Sequence, residues 1–474
     1  MLELALKPPL LTLLIALLAV AALAATVGRR APVIVGRLGT SVAVVGVLVA
    51  IAGLASAPER LGAALLVLVF GVSAIAQGYA VRYLAGDDRS HWFSCGATLL
   101  TAASVVMATS TTMVALAIGW TAVGLALCLL LATYRELPAA RDGVRRTAQA
   151  FALGDGALWV GVGLHQLDAG RSAPAVAVLI AIAALSRSAQ IPFHRWLPAT
   201  LAAPTPVSAL LHAGVVNGGG VLLVKLADLA TPPAAGIIIV VGIASMAYGV
   251  LMMLVRPDIK GALAYSTMAQ MGFMMLTCGL GLWAAAVIHL IGHGFYKATL
   301  FLSSGTAIAR HRRHHMRAAP AGLGRRAAWC LAVTAALLPL SALATGAAIS
   351  AAWQEGHAAE LALLVFAWLA GAAATWGWLR RQPTALGVLG ATAVMFVAAV
   401  AYVTTIGTVS RYLAPALPES TASPMTVWVV MVGGLAVLGT LASVRTWPRA
   451  RGVQRALYTH AISAGTLHPT GAHR

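Results

Sequence analysis

The feature that most constrains this chain is a repeated length. Uninterrupted apolar runs of roughly twenty residues recur from end to end, and a run that long crosses the hydrocarbon core of a bilayer as a helix. About 15 runs can be counted at that length. They lie near residues 9–27, 32–56, 61–81, 92–112, 113–133, 148–167, 174–191, 205–226, 234–255, 261–280, 282–308, 328–352, 359–379, 384–408 and 425–445. Composition agrees, because the 474 residues are 60% hydrophobic and only 9% charged, with a mean hydropathy of +0.88. The expectation is an all-α, polytopic integral membrane protein of about 14–15 transmembrane helices, some of them discontinuous. Its transmembrane domain would cover 1–445, with a core over 79–305 and a basic cytoplasmic tail over 446–474.

Lys+Arg 32 against Asp+Glu 13 gives a net charge of +19. In a soluble protein that excess would suggest nucleic acid, but here the basic residues sit between the apolar runs. The loops after odd-numbered runs hold Arg29, Arg30, Arg37, Arg82, Arg89, Arg135, Arg141, Arg145, Arg146, Arg195, Arg256, Lys260 and the cluster from Arg310 to Arg326. The loops after even-numbered runs hold little beyond Arg60, Arg171 and Arg411. This alternation predicts an outside N-terminus and a cytoplasmic C-terminus. Ala22-Leu23-Ala24 imitates a signal-peptide cleavage site, yet Glu3 ahead of the first run and Arg29-Arg30 behind it favour a retained span. The loop 309–326 is a topology anchor beside anionic lipid or a docking surface for a cytoplasmic partner. Its His311, His314 and His315 have no acid or cysteine nearby to complete a metal site. Cys95, Cys128, Cys278 and Cys330 stand singly inside apolar runs and read as small core residues.

Polar residues inside such runs are costly and therefore informative. The stretch Ala184–Leu226, ALSRSAQIPFHRWLPATLAAPTPVSALLHAGVVNGGGVLLVKL, carries Arg187, is expected to break at Pro192 and Pro198, restarts through Pro204 and Pro206, and runs on past His212. Ile288–Gly305, IHLIGHGFYKATLFLSSG, spaces His289, His293 and Lys297 four residues apart, and each step drifts only about 40° around a helix. One intramembrane histidine is readily a packing residue. Three ionisable groups in register point to a proton or cation path, since His and a desolvated Lys both exchange protons near neutrality. Asp155, mid-run in FALGDGALW, needs a cation, and Arg187 one run later is the obvious partner. Lys260 begins another run and either joins the path or snorkels. Lys225 and Asp228 read as a boundary pair, and Gly218, Gly219 and Gly220 as a site of close helix packing. No Ser-His-Asp set, Walker sequence, haem attachment or zinc constellation is present in the sequence. The chain is therefore expected to be a transporter subunit with no catalytic residue and no cofactor of its own.

Three segments carry a resemblance: RSAQIPFHRWLPATLAAPTPVSALLHAG, DIKGALAYSTMAQMGFM and HLIGHGFYKATLFLSSG. They resemble the diagnostic segments of the antiporter-like membrane subunits of respiratory complex I (the NuoL, or subunit 5, type) and of multisubunit cation/proton antiporters. The likeness covers about Tyr79 to Gly305, with a weaker echo at Leu338–Ser341. It implies that Asp155, His212, Lys260, His289, His293 and Lys297 line half-channels and a central polar axis. Three positions depart from the pattern. Arg187 stands where the family has a channel lysine and cannot release a proton, Thr121 stands where a glutamate follows the tryptophan, and SALATGAAIS lacks the lysine of the terminal half. The segment HAGVVNGGG and the tail ALYTHAISAG resemble one branch, the DabB-type membrane subunits of inorganic-carbon accumulation complexes in the bacterial cytoplasmic membrane. That likeness implies a DabA-like peripheral partner, similar to a carbonic anhydrase and holding its own zinc on the cytoplasmic face. The membrane subunit would pass H+ or Na+ to power CO2 hydration there.

Overall fold

The structure is a computed structural model that describes residues 8–56, 59–167, 172–256, 258–305, 324–349 and 358–418, with isolated positions beyond 424. The basic loop up to residue 323, the run at 425–445 and the tail at 446–474 fall outside or largely outside these residues. The elements are helices: α1 (Pro8–Thr26), α2 (Pro32–Ser56), α3 (Arg60–Tyr83), α4 (Ser90–Thr109), α5 (Met113–Leu131), α6 (Pro138–Leu167), α7 (Ala173–Arg187), α8 (Trp196–Ala199), α9 (Thr205–Ala213), α10 (Gly218–Lys225), α11 (Pro232–Val255), α12 (Ile259–Gly279), α13 (Trp283–Leu302), α14 (Arg325–Ile349), α15 (Ala358–Leu379) and α16 (Ala385–Leu413). Each expected run before residue 425 coincides with a helical segment. Ten helices among the described residues are long and apolar enough to cross a membrane.

These elements are helical because hydrocarbon offers no partner for a backbone N–H or C=O, so each run must satisfy its own. Their starts are written into the chain. Thr112 Oγ1 accepts from Ala115 N at 3.2 Å, Asp258 Oδ2 from Gly261 N at 2.6 Å, and Thr384 Oγ1 from Gly387 N at 3.1 Å. Each caps an otherwise orphaned donor. Prolines occupy the first turns of α7, α9 and α11, where their missing N–H costs nothing. Helix α6 begins ten residues before the run expected at 148, at Pro138, and its polar first turns carry an Arg146–Asp142 ion pair at 2.7 Å.

The outside is apolar. Leu48, Leu125, Leu153 and Leu167 are exposed, while Ser73, Gln77, Thr98, Thr101, Arg187, His212, Asn217 and Lys297 are buried. That inversion of the soluble pattern fits lipid surroundings with a polar interior.

The chain divides into two compact units, one of 1–281 with 290–305 and 433–474, the other of 282–289 with 306–432. In the first, α2 packs on α3, α4 on α5, α6 on α7 and α11 on α12. The second contains α14 to α16 around Ala342, Leu343, Ala399 and Val403. There Pro339 inside α14 lies against Gly371.

The broken stretch is broken differently from expectation. Helix α7 stops at Arg187, before Pro192, with Ser188 as its C-cap and Ala189 in the left-handed region at φ 53°. Pro198 does not interrupt anything, since it sits inside the short α8. The span beyond Pro204 does run on past His212, to Lys225, but not as one regular helix. Helix α9 ends at Ala213, and the chain turns through a tighter helix at Val215–Asn217 and resumes at Gly218. The three glycines that resume it are packing positions, as expected. A Cβ on Gly219 would lie 2.3 Å from Ser188 Oγ and 2.4 Å from the Ala184 carbonyl, and one on Gly220 would lie 2.4 Å from Met274 Sδ.

Gly219→Ala therefore forces the α7 backbone to move, at about 1–3 kcal/mol. A lower melting temperature in detergent is expected. Gly156→Ala, exposed within α6 and meeting no atom within 4 Å, is expected to keep or slightly raise the melting temperature, since Ala favours the helix over Gly, and equal melting of the two variants would refute the packing role.

Candidate functional site

The first centre joins α5, α6 and α7. Asp155 and Arg187 come together as the sequence suggested, with Arg187 Nη2 donating to Asp155 Oδ1 at 2.8 Å. Trp120 Nε1 donates to the same oxygen at 2.6 Å, and Arg187 Nη1 donates to the Trp120 carbonyl at 3.1 Å. The guanidinium carbon stands 4.2 Å from the Trp120 ring centroid and 4.1 Å from that of Phe151. Arg187 is 1% exposed and the Asp155 side chain 18%. Glycine makes room for this plane, because a Cβ on Gly124 would come 3.0 Å from Nη2 and 3.2 Å from Phe151. The charge also falls in the last turn of α7, where the helix dipole favours a cation. A planar fork held by a carboxylate, a carbonyl and two rings is a site that lysine could not fill equally.

The second centre gathers around α12 and α13. Lys297, fully buried, donates from Nζ to Ser266 Oγ at 2.9 Å. The neighbouring Thr267 lies 3.1 Å from His212 Nδ1. The Thr267 hydroxyl proton goes to the Leu263 carbonyl, so its lone pair accepts from His212, which is thereby assigned as the Nδ1–H tautomer. The His212 ring stacks on Phe301 at 4.2 Å. His293 Nδ1 is 3.2 Å from Asn217 Oδ1. Asn217 uses its amide to donate to the carbonyls of Ala213 and Leu290, so its oxygen faces His293 as an acceptor. Lys260 Nζ donates to the Ala203 carbonyl at 2.9 Å. His289 is half-buried one turn before His293 on α13.

A cavity of about 60 Å³ reaches Arg187 and Asn217 and is lined mostly by apolar side chains such as Leu65, Leu68, Val72 and Val123, with Ser73, Thr101 and Ser104 among them. The arrangement can hold a fixed positive charge at one end and offer proton acceptors and donors at the other.

The residues that hold these groups are the ones sequence reading passed over: Trp120, Phe151, Asn217, Ser266, Thr267 and Phe301. Asn217 had a signal, since an amide inside an apolar span demands partners. One expectation is corrected. Lys225 Nζ donates to the Ala108 carbonyl at 2.9 Å, and among the described residues no ion pair joins it to Asp228. Thr121, in the glutamate's place, accepts from Trp159 Nε1 at 3.1 Å.

Residues 110–379 match the family model described as NADH:quinone oxidoreductase/Mrp antiporter, TM. The chain belongs to this family of antiporter-like, multi-pass membrane subunits. It is 35% identical to the probable inorganic carbon transporter subunit DabB1 of Halothiobacillus neapolitanus over 346 residues, 65% of this chain and 62% of that one. It is 36% identical to NADH-quinone oxidoreductase subunit L of Mycobacterium tuberculosis over 283 residues, 55% of this chain and 44% of that one. The chain thus spans less than two thirds of these relatives' lengths. A solved Mrp complex from Dietzia sp. contains a chain of the same fold, with a TM-score of 0.64 at 21% identity, covering 96% of this chain and 59% of that one. The family match includes Asp155, Arg187, His212, Lys260, His289, His293 and Lys297.

Asp155→Asn leaves the Arg187 charge buried without its counter-charge and is expected to destabilise the protein by about 3–5 kcal/mol. The double change Asp155→Asn with Arg187→Gln should recover part of that loss. Additive losses in a double-mutant cycle of detergent unfolding would show that the pair is not coupled.

Proposed function

We propose that this chain is the H+- or Na+-conducting membrane subunit of an inorganic-carbon accumulation complex. Cations pass through it down their gradient, and the energy drives one-way hydration of CO2 to bicarbonate in a peripheral, zinc-holding, DabA-like partner. The chain itself carries no covalent step. It lies in the bacterial cytoplasmic membrane with its N-terminus outside, and the basic loop 309–326 and the tail give the partner a cytoplasmic docking surface.

The observation that carries this reading is the buried sequence of charged and titratable groups on a single family core. Burying Arg187 and Lys297 inside a membrane protein is costly, and charged groups retained in such places commonly mark a path for charge. Each is held by partners that leave it in place. Asp155–Arg187 fixes a positive charge, while Lys297, His293 and His212, each in reach of a hydroxyl or amide oxygen, are groups able to take and return a proton. Lys260, whose ammonium reaches the Ala203 carbonyl, and His289, one turn before His293 on α13, are counted with them. The likeness to relatives named as inorganic carbon transporter subunits directs the choice of cargo system.

A second reading, a subunit of a multisubunit cation/proton antiporter, is supported by the shared fold with the Mrp complex. A third, the pumping membrane subunit of an NADH-quinone oxidoreductase, has relatives of equal identity. Thr121 in place of the glutamate and the missing lysine of SALATGAAIS weigh against the third.

Purification of the tagged chain from its native membrane discriminates among these. A large soluble partner with stoichiometric zinc is expected, whereas a set of small membrane subunits, or flavin and iron–sulfur proteins, would replace the proposal with the second or third reading. Lys297→Ala is expected to abolish gradient-dependent bicarbonate accumulation while the partner still co-purifies. Accumulation at the wild-type rate would remove Lys297 from the path.

A further inference from the structure

Two histidines of the second centre are held at the same ring nitrogen by different means. His293 Nδ1 meets Asn217 Oδ1 at 3.2 Å, and His212 Nδ1 meets Thr267 Oγ1 at 3.1 Å. Neither acceptor has a hydrogen to spare. Asn217 commits Nδ2 to the carbonyls of Ala213 at 2.7 Å and Leu290 at 3.3 Å, so turning the amide over would set its oxygen against two carbonyl oxygens. Thr267 commits its proton to the Leu263 carbonyl at 2.9 Å. Each histidine must therefore supply the hydrogen, and supplies it from Nδ1.

The surroundings keep each ring in that pose. His212 and His293 are both buried, and His212 lies nearly flat on the buried Phe301, with 16° between the planes. Turning either ring over would put a carbon edge against the acceptor and leave that oxygen without its donor. The interruption after His212 supplies one of the two acceptors. Helix α9 ends at Ala213, Asn217 takes the carbonyl this leaves open, and the same amide presents its oxygen to α13. A cap for that carbonyl needs only a donor, so the position of the oxygen is a separate feature.

We propose that Asn217 and Thr267 are positioning residues that hold hydrogen on Nδ1 of His293 and His212, so that each ring gains and loses a proton at Nε2 alone. The neutral ring so held and the imidazolium both carry hydrogen at Nδ1, and they differ only in whether Nε2 bears one. A proton arriving at Nε2 binds the lone pair there and makes the ring cationic. The same proton leaves from Nε2, and the ring returns to neutral with its Nδ1–H untouched. Nothing passes through to the far side, because an amide oxygen and a hydroxyl already spent on a carbonyl have no proton to hand on. Both histidines thus store a proton beside the path and do not conduct it across their rings. That this proton is transported rests on the function proposed above, whereas the place of the hydrogen on each neutral ring does not.

Two measurements on the full-length chain in native lipid vesicles separate these claims. Nitrogen-15 NMR of histidine-labelled protein, at alkaline pH where both rings are neutral, reads which ring nitrogen bears hydrogen. His293→Gln and His212→Gln assign the two signals by difference. Both rings should show hydrogen on Nδ1 and none on Nε2, and the reverse in either ring overturns the proposal. Asn217→Ser keeps a donor for the carbonyl four residues back, as serine commonly does in a helix, but is too short to reach His293. A second population with hydrogen on Nε2 of His293 should then appear, and Thr267→Val should do the same to His212. Spectra unchanged in these variants overturn the positioning role. Proton flux after a pH jump, read by an entrapped dye, should fall several-fold in both variants. Wild-type flux beside an altered spectrum overturns the restriction of exchange to Nε2. A wild-type chain without flux overturns the transport function itself and leaves the NMR to decide where the hydrogen sits.

Discussion

The structure depends on burying one full positive charge without exposing its neighbours to lipid. Arg187 cannot lose its proton at ordinary pH, so every element around it must be arranged for a permanent cation. Asp155 supplies the counter-charge, the Trp120 carbonyl a further acceptor, and two aromatic faces the rest of the enclosure. This explains why α7 ends where it does. A charge in a last turn is favoured by the helix dipole, and stopping the helix at Arg187 frees Ser188 to bond the Val216 carbonyl and Gln190 to reach across to α12. The break and the charge are one feature. Gly124 and Gly218 follow from it, since any larger residue would crowd the guanidinium or its stem.

The polar groups beyond this centre are held in a different manner. Lys297 and His212 are received by adjacent hydroxyls of α12, Ser266 and Thr267, and His293 by an amide. Neutral acceptors of this kind orient a titratable group without fixing its charge, whereas a carboxylate would hold it ionised. The core thus divides into a pinned cation and a set of groups whose protonation is left open. That division is what a conducting path requires, a static field at one point and exchange at others.

Much of this was legible in the chain. Run length gave the helices before residue 425, the isolated acid and base gave the Asp155–Arg187 pair, and i, i+4 spacing put His289, His293 and Lys297 along one helix. What was not legible depended on tertiary approach. Proline was read as the breaker, but Pro198 fits within a helix and Gly214 marks the interruption after His212, because a proline in a first turn is harmless and sequence does not announce where a turn begins. Lys225 looked paired with Asp228 by proximity in sequence, whereas its ammonium reaches the carbonyl of Ala108 in α4. Trp120 and Phe151 read as ordinary core aromatics, and only the fold brings their faces to Arg187.

The two departures from the family pattern near Arg187 are physically linked. A lysine at that position would be a compact charge with no fork to bridge Asp155 and the Trp120 carbonyl. It would sit more loosely, and a second carboxylate one residue after Trp120 would have a role in recruiting it. With arginine the fork is filled by Asp155 and the backbone. An additional acid at 121 would bring an uncompensated negative charge beside a completed pair, which is costly at membrane depth. Thr121 removes that charge and gives its oxygen to Trp159 instead. Arginine at 187 and threonine at 121 thus fit together, a fork already filled by Asp155 and the backbone beside a neighbour that carries no charge.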